Sequence, residues 1–175
     1  MGSGGQGKGG TPMLEGKGDI WAVADARIDD ISAVVLTTNG YVKANGACVM
    51  GRGVALEARE RFPGIDKEIG AFIQASGNHV CVVRGRASYF IITMPVKPAV
   101  GPNGEPGWKA MADINLIIES AIELRAAADE HDLRKTILIP RPGCGNGGLD
   151  WRDVRPVIAP ILDDRFVAMH RDGLG

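Results

Sequence analysis

An almost unbroken apolar run from Ile31 to Leu36 is the feature that most restricts how this chain can fold. A strand with one face in water alternates apolar and polar residues, whereas a continuous apolar run of this length is typical of a strand covered on both faces. The run ends at a polar turn, Thr37 to Gly40. The sequence therefore predicts a sheet with helices on both sides.

Strand and helix patterns alternate along the rest of the chain. The other strand-like runs are Met13 to Glu15, His79 to Arg84, Tyr89 to Val96, Thr136 to Ile139 and Phe166 to Met169. The helical patterns are Val54 to Phe62, Ile65 to Gln74, Met111 to Asp129 and Trp151 to Leu162, the last with Pro156 and Pro160 inside it. This order predicts an α/β fold in which a mixed sheet lies between helices. In such sheets, ligands bind where loops leave the carboxyl ends of the strands.

Length and charge bound the domain organisation. A chain of 175 residues has room for one domain with one sizeable core. We interpret residues 1–10, which are rich in glycine, as a flexible leader, and residues 11–175 as the domain. Lys and Arg number 20 against 21 Asp and Glu, so the net charge does not indicate a bulk nucleic-acid or membrane binder.

The cysteines and the hydropathy exclude other classes. Cys48, Cys81 and Cys144 are odd in number and widely spaced, which supports neither a disulfide framework nor a zinc site and fits a reducing cytoplasm. The longest apolar stretches, such as Tyr89 to Val96, are far shorter than the roughly 20 residues that span a bilayer. We expect no metal, no membrane partner and a cytoplasmic location.

A first glycine-rich loop follows the buried strand. It carries Asn39-Gly40 and Asn45-Gly46, and then Met50-Gly51-Arg52-Gly53 leads directly into a helix. Glycines allow a ligand to approach the backbone, and the unpaired N–H groups of a helix start favour a phosphate. Tight turns before helices are common, so this loop by itself leaves a purely structural role open.

A second glycine-rich loop, Pro142 to Trp151, is more specific. It places four glycines and Asn146 between a strand and a helix, where an ordinary connection needs one or two glycines. Such a run can wrap its N–H groups around an anion. The Lys and Ser/Thr of a P-loop are missing, so hydrolysis of a nucleoside triphosphate is not expected.

Three segments in this order resemble the macro domain family, whose ligand is ADP-ribose: Cys48 to Leu56, Phe90 to Lys97 and Gly143 to Trp151. They look most like the branch that contains the DNA ADP-ribosyl glycohydrolase antitoxins and the terminal ADP-ribose protein glycohydrolase of animals. The resemblance covers nearly the whole chain from Met13 onward. It implies a three-layer α/β/α macro domain with a mixed central sheet, with ADP-ribose as the ligand and no other cofactor.

The resemblance also implies roles for individual residues. Asp19 would recognise adenine with the help of the Ile20 backbone N–H, Asn39 would face the distal ribose, and Lys97 matches the lysine nucleophile of this branch. The diphosphate and ribose would be held by Gly51, Gly53 and Val54 of the first loop and by Cys144, Gly145, Asn146, Gly147, Gly148 and Leu149 of the second. A lysine amine can attack C1 of the distal ribose and form a covalent intermediate that water resolves. To do so it must lose its proton, which burial or a neighbouring cation would favour.

This chain departs from the family pattern at several positions. Leu36 stands where the family usually has a second asparagine, and Gly147 stands where the animal glycohydrolase has a catalytic Asp. Two stretches, Gly40 to Ala47 and Pro98 to Gly107, look like insertions beside the site.

Several functions therefore stay open. The first is an ADP-ribosyl glycohydrolase acting on modified DNA or protein. A non-catalytic ADP-ribose reader and a hydrolase of ADP-ribose 1''-phosphate or O-acetyl-ADP-ribose are the alternatives. ADP-ribosylated DNA is only weakly supported by charge, because Arg52, Arg59, Arg61 and Lys67 are equally typical of a solvated helix surface. No protein partner is indicated.

Overall fold

The computed structural model describes residues 10–83 and 88–171, and most of the predicted leader lies outside this range. The strands are β1 (Leu14–Lys17), β2 (Ile31–Asn39), β3 (Cys81–Val83), β4 (Phe90–Lys97), β5 (Thr136–Pro140) and β6 (Phe166–His170). The helices are α1 (Ile20–Ala26), α2 (Gly53–Arg61), α3 (Ile65–Ser76), α4 (Ile114–Glu130) and α5 (Trp151–Ile158). Arg84, the end of one predicted strand, also lies outside the described residues.

One sheet of six strands, in the order β1-β6-β5-β2-β4-β3, forms the middle of the molecule. All neighbouring strands are parallel except the edge pair β3 and β4, which is antiparallel. The predicted mixed sheet is therefore confirmed. Ala33 to Leu36 of β2 are completely buried, as the continuous apolar run requires of a strand covered on both faces.

Helices cover both faces of the sheet. Apolar residues of α4 and α5, such as Leu124 and Ile158, pack with Val35 and Ile92 on one face. On the other face, α1, α2 and α3 pack against the alternate residues of the same strands, such as Val34. This is the three-layer α/β/α architecture that the sequence predicted. None of the described helices is long and apolar enough to cross a membrane.

Helix α1 is the one α-helix among the described residues that the sequence patterns did not predict. Its seven residues are too few for a helical period to stand out, although Ile20, Trp21 and Ala24 are buried. It begins because the Asp19 carboxylate accepts hydrogen bonds from the N–H groups of Trp21 and Ala22.

Two predicted helix ends are shifted for identifiable reasons. Helix α4 begins at Ile114, three residues later than Met111, because Asp113 caps it by accepting from the N–H groups of Asn115 and Leu116. Helix α5 ends at Ile158 and not at Leu162. Pro160 has no N–H for another helical turn and disfavours helical backbone in the preceding residue.

The stretch predicted as the first insertion, Gly40 to Ala47, folds back on itself and packs on α3. Val42 and Cys48 form an antiparallel bridge, and the Cys48 N–H donates to the Asp66 carbonyl at 2.9 Å. Gly70 of α3 lies against this loop so closely that a Cβ there would overlap the Gly46 carbonyl oxygen. These contacts therefore hold the loop in one position on α3.

We expect Gly70→Ala to lower the free energy of unfolding by about 1–3 kcal/mol, because the added methyl group must displace the loop backbone. Urea denaturation measures the change. Ala71→Ser, at an exposed position of the same helix, is the control and should stay within about 0.5 kcal/mol of the parent. Equal stability of the two variants would contradict the close packing.

Candidate functional site

A cleft of about 1250 Å³ lies at the carboxyl edge of the sheet. Its walls come from the ends of β2, β4, β5 and β6 and from both glycine-rich loops. A smaller pocket of about 130 Å³ shares Gly53, Val54 and Arg171 with it and extends to Gly18 and Ile20 beside Asp19. The parallel strands explain this convergence, because their carboxyl ends all meet at one edge.

The charge of the large cleft differs sharply from that of the whole chain. Its lining includes six Lys or Arg residues and no Asp or Glu among the described residues, whereas the chain carries a net charge of −1. The cations are Lys43, Arg52, Lys97, Lys109, Arg141 and Arg171. Such a lining favours an anionic ligand.

Three glycines that line the cleft face open space. An ideal Cβ at Gly51, Gly53 or Gly145 would have no heavy atom within 4 Å. Gly53 and Gly145 have left-handed backbone, with φ of +61° and +69°, which itself favours glycine, but Gly51 does not. Neither backbone nor packing requires a glycine at position 51, so the missing side chain there leaves room for a ligand.

Other glycines of the second loop are needed for packing. A Cβ at Gly143 would lie 2.6 Å from Ile117 Cδ1, and one at Gly147 would lie 2.9 Å from Ala112 Cβ. Gly143 and Gly147 also line the cleft, whereas Gly148 and Leu149 are set back from its wall. Within the predicted ligand loop, Gly145 thus has open space beside it, whereas Gly143 and Gly147 fit closely against Ile117 of α4 and Ala112 just before it.

Lys97 is the last residue of β4, and a β-bulge places it opposite Asn39. The strands pair Thr38 with Pro95 but Asn39 with Lys97, so Val96 is the extra residue. In a regular ladder Val96 would stand opposite Asn39. The bulge therefore makes neighbours of the predicted nucleophile and the predicted ribose contact.

The Lys97 amine is held at the cleft wall. Its Nζ donates to the Trp108 carbonyl oxygen at 3.1 Å. Burial, and in addition the positive charge of Arg52, lower the pKa of Lys97 below the ordinary lysine value. The amine consequently loses its proton more readily than a solvated lysine does, which a nucleophile requires.

Asn39 shapes the first loop with its own side chain. Its Nδ2 donates to the Val49 carbonyl at 2.9 Å, and its Oδ1 accepts from the Tyr41 N–H at 2.9 Å. The side chain is buried and lines the cleft from β2. A contact with the distal ribose stays a prediction, and it must coexist with these two bonds.

Arg52 connects the two glycine-rich loops across the opening of the cleft, a contact that the sequence did not predict. Its guanidinium donates to Asn146 Oδ1 at 3.3 Å, so one side chain from each glycine loop meets across the opening. Arg61, by contrast, pairs with Asp25 at 2.7 Å and stacks over Trp21. Arg52 therefore lines the cleft, whereas Arg61 does not.

Asp19 stands at the smaller pocket with both carboxylate oxygens engaged. Oδ1 accepts from the Trp21 and Ala22 N–H groups, and Oδ2 pairs with Arg171 at 2.6 Å. Arg171 also reaches Glu57 at 2.8 Å. The Ala22 N–H, followed by the Arg171 charge, lowers the pKa of Asp19 and keeps it ionised. Sequence patterns gave no signal for Arg171, which follows the last strand.

Two residues of the pattern have structural roles. Leu36 is fully buried in the core, so it cannot replace the asparagine contact that the family has there. Cys144 lines the cleft, but burial raises the pKa of its thiol to about 11, which leaves it protonated and a poor nucleophile.

No family profile and no curated protein sequence matches the chain. Solved structures do match it. The macrodomain of Mycobacterium tuberculosis DarG is 26% identical with a TM-score of 0.66, over 92% of this chain and 98% of that one. The macrodomain of Thermus aquaticus DarG is 23% identical with a TM-score of 0.67, over 93% and 99%.

The chain has the macrodomain fold. The family resemblance inferred from the three sequence segments is confirmed, including its DarG branch. The structure of Thermosipho africanus DarTG in complex with ADP-ribose matches this macrodomain with a TM-score of 0.65 at 16% identity, over 90% of this chain and 41% of the other.

The two kinds of glycine predict different effects of alanine. Gly51→Ala should change the free energy of unfolding of this macrodomain by less than about 1 kcal/mol, because its Cβ enters open space. Gly143→Ala should cost about 2–4 kcal/mol, because it combines a left-handed φ of +76° with an overlap with Ile117. Urea denaturation measures both, and equal losses would contradict the division.

Proposed function

We propose that this macrodomain binds ADP-ribose and hydrolyses the bond between ADP-ribose and a modified target, with Lys97 as the nucleophile. The observation that carries the proposal is the Lys97 amine: its pKa is lowered, and it stands opposite Asn39 in a cleft lined by cations. A surface lysine at a strand end would have none of these features.

The binding part rests on the fit between the cleft and a dinucleotide-like anion. Gly51, Gly53 and Gly145 leave their backbone accessible, and the start of α2 has no side-chain cap on its N–H groups. A diphosphate between these loops would meet backbone N–H groups from both sides. The adenine would then extend toward the smaller pocket and the ionised Asp19.

The reaction part follows from the position of the amine. The neutral Lys97 nitrogen forms a bond to C1 of the distal ribose while the bond from C1 to the target breaks and its electron pair leaves with the target, which takes up a proton. Water then adds at C1, releases ADP-ribose and restores the amine. No Asp or Glu among the described residues lines the cleft, so we assign no carboxylate to the chemistry.

Modified DNA is the substrate class that we infer. The two stretches predicted as insertions, or residues just after them, bring Lys43, Trp108 and Lys109 to the cleft. These cations exceed what one diphosphate requires, and the Lys109 amine lies 5.2 Å from the centre of the exposed Trp108 ring. Cations next to an accessible aromatic ring suit phosphates and bases of a single strand.

A reader without turnover is the second candidate. The absence of a carboxylate from the described cleft lining and the engagement of both Asn39 side-chain atoms in the loop favour it. Calorimetry that detects ADP-ribose binding, together with no release of ADP-ribose from any conjugate, would support the reader.

Lys97→Ala should reduce ADP-ribose release from a modified oligonucleotide by about 10³-fold or more, because the nucleophile is gone. Lys97→Arg should be equally inactive, because a guanidinium stays protonated. Both should bind free ADP-ribose within about tenfold of the parent, since the glycine loops are intact. Lys67→Ala, an exposed lysine of α3 outside the cleft, is the control. Parent rates in Lys97→Ala on both DNA and protein conjugates would refute the assignment.

When the rate of ADP-ribose release is plotted against pH, the rising limb should lie at higher pH for Arg52→Gln than for the parent. A group with a lowered pKa is neutral from a lower pH upward, and removal of the Arg52 charge raises the pKa of Lys97. Asn146→Ala removes the hydrogen bond to Arg52 but keeps the Arg52 charge, so the rising limb of its pH profile should not move. A shift of equal size in both variants would assign the effect to the contact and contradict the electrostatic account.

A further inference from the structure

Strand β4 leaves the regular ladder immediately before its last residue. Val96 is the extra residue of the bulge, and Pro95 precedes it. Proline has no N–H for a ladder and is found within sheets at edges or bulges. The local sequence therefore favours the irregularity that sets Lys97 opposite Asn39, but it does not by itself fix the direction in which the strand continues.

Three consecutive carbonyls at this point accept hydrogen bonds from outside the sheet. Ser120 Oγ of α4 donates to the Pro95 oxygen at 2.7 Å. The Asp113 N–H donates to the Val96 oxygen at 2.9 Å. Asn78 Nδ2 donates to the Lys97 oxygen at 3.0 Å. The bulge is thus held by two separate segments of the chain: α4 with its N-cap Asp113, and Asn78, which follows α3.

The other polar atom of the Asn78 side chain has no hydrogen-bond partner among the described residues. Gly40 permits the contact with Lys97, because a Cβ at that position would lie 2.7 Å from Asn78 Cγ and Nδ2. The atom without a partner, Asn78 Oδ1, is buried. A buried acceptor without a partner is destabilising, so stability alone does not account for an asparagine here.

Ser120 is similarly unusual. It is 2% exposed and is one of the few buried polar residues in the described part of the chain. A serine inside a helix commonly bonds to its own helix four residues back, whereas Ser120 reaches across to the sheet. A hydroxyl buried between α4 and β4 therefore serves the backbone of the bulge.

We propose that Asn78 and Ser120 are positioning residues for Lys97: by holding the Lys97 and Pro95 carbonyls, they fix the bulge that directs the amine to the distal ribose. The inference rests on the proposed glycohydrolase function. Neither residue lines the cleft, so each acts on the reaction only through Lys97.

The test compares Asn78→Ala, Asn78→Asp and Ser120→Ala with Thr93→Val. Thr93 is the matched control, because it is a buried residue of the same strand whose Oγ accepts a hydrogen bond from Cys81 away from the bulge. We expect kcat on a modified oligonucleotide to fall about 10- to 100-fold in the first three variants, with KM and the affinity for free ADP-ribose nearly unchanged. Thr93→Val should lose stability but keep kcat. Parent kcat in the Asn78 and Ser120 variants, or an equal loss in Thr93→Val, would overturn the proposal.

A second measurement does not depend on turnover. Lysine amines are reductively methylated with ¹³C-formaldehyde and titrated by NMR, and the Lys97 signal is assigned by its loss in Lys97→Ala. Asn78→Ala and Ser120→Ala should move the Lys97 midpoint toward the ordinary lysine value, and Thr93→Val should not. Identical midpoints in all variants would overturn the positioning role. If the parent protein shows no turnover, the proposed function is refuted. The NMR midpoints of Lys97 then decide by themselves whether Asn78 and Ser120 position the amine.

Discussion

The parallel pairing of β2 with β4 is the constraint on which the rest of the site depends. Because both strands run in the same direction, Asn39 and Lys97 end at the same edge of the sheet, and the first glycine loop must turn over that edge to reach α2. Burial of β2 on both faces fixes the register, since a slip of one residue would turn its apolar side chains to the wrong layer. The core therefore determines the geometry of the site.

The charge of the cleft determines which kind of ligand it favours. A chain with nearly equal numbers of acidic and basic residues concentrates cations in one cleft, and the carboxylates near it, such as Asp19 and Glu57, are paired with Arg171 beside the smaller pocket. The same arrangement separates two tasks. Cations and accessible backbone N–H groups favour an anionic ligand, whereas partial burial and then the neighbouring cation Arg52 lower the pKa of Lys97.

The buried strand and the positions of the two glycine-rich loops could be predicted from sequence, because they depend on local patterns. The apolar run at Ile31 to Leu36 predicted the buried strand, and the glycine density predicted the loops at the strand ends. Features that depend on distant partners left no such signal: Asn78, Ser120 and Arg171 acquire their roles from residues far away in the chain. Glycine itself was ambiguous, since Gly51 faces open space and Gly143 faces Ile117, and only the position of the neighbours separates the two. The predicted roles of the ligand-binding residues remain predictions.

The contact between Arg52 and Asn146 bears on how easily the opening of the cleft widens. Both side chains are exposed, and a single hydrogen bond of this kind contributes about 0.5–1.5 kcal/mol. The need to break it would slow passage through the opening by about tenfold at most. This contact is therefore too weak to retain a ligand by itself.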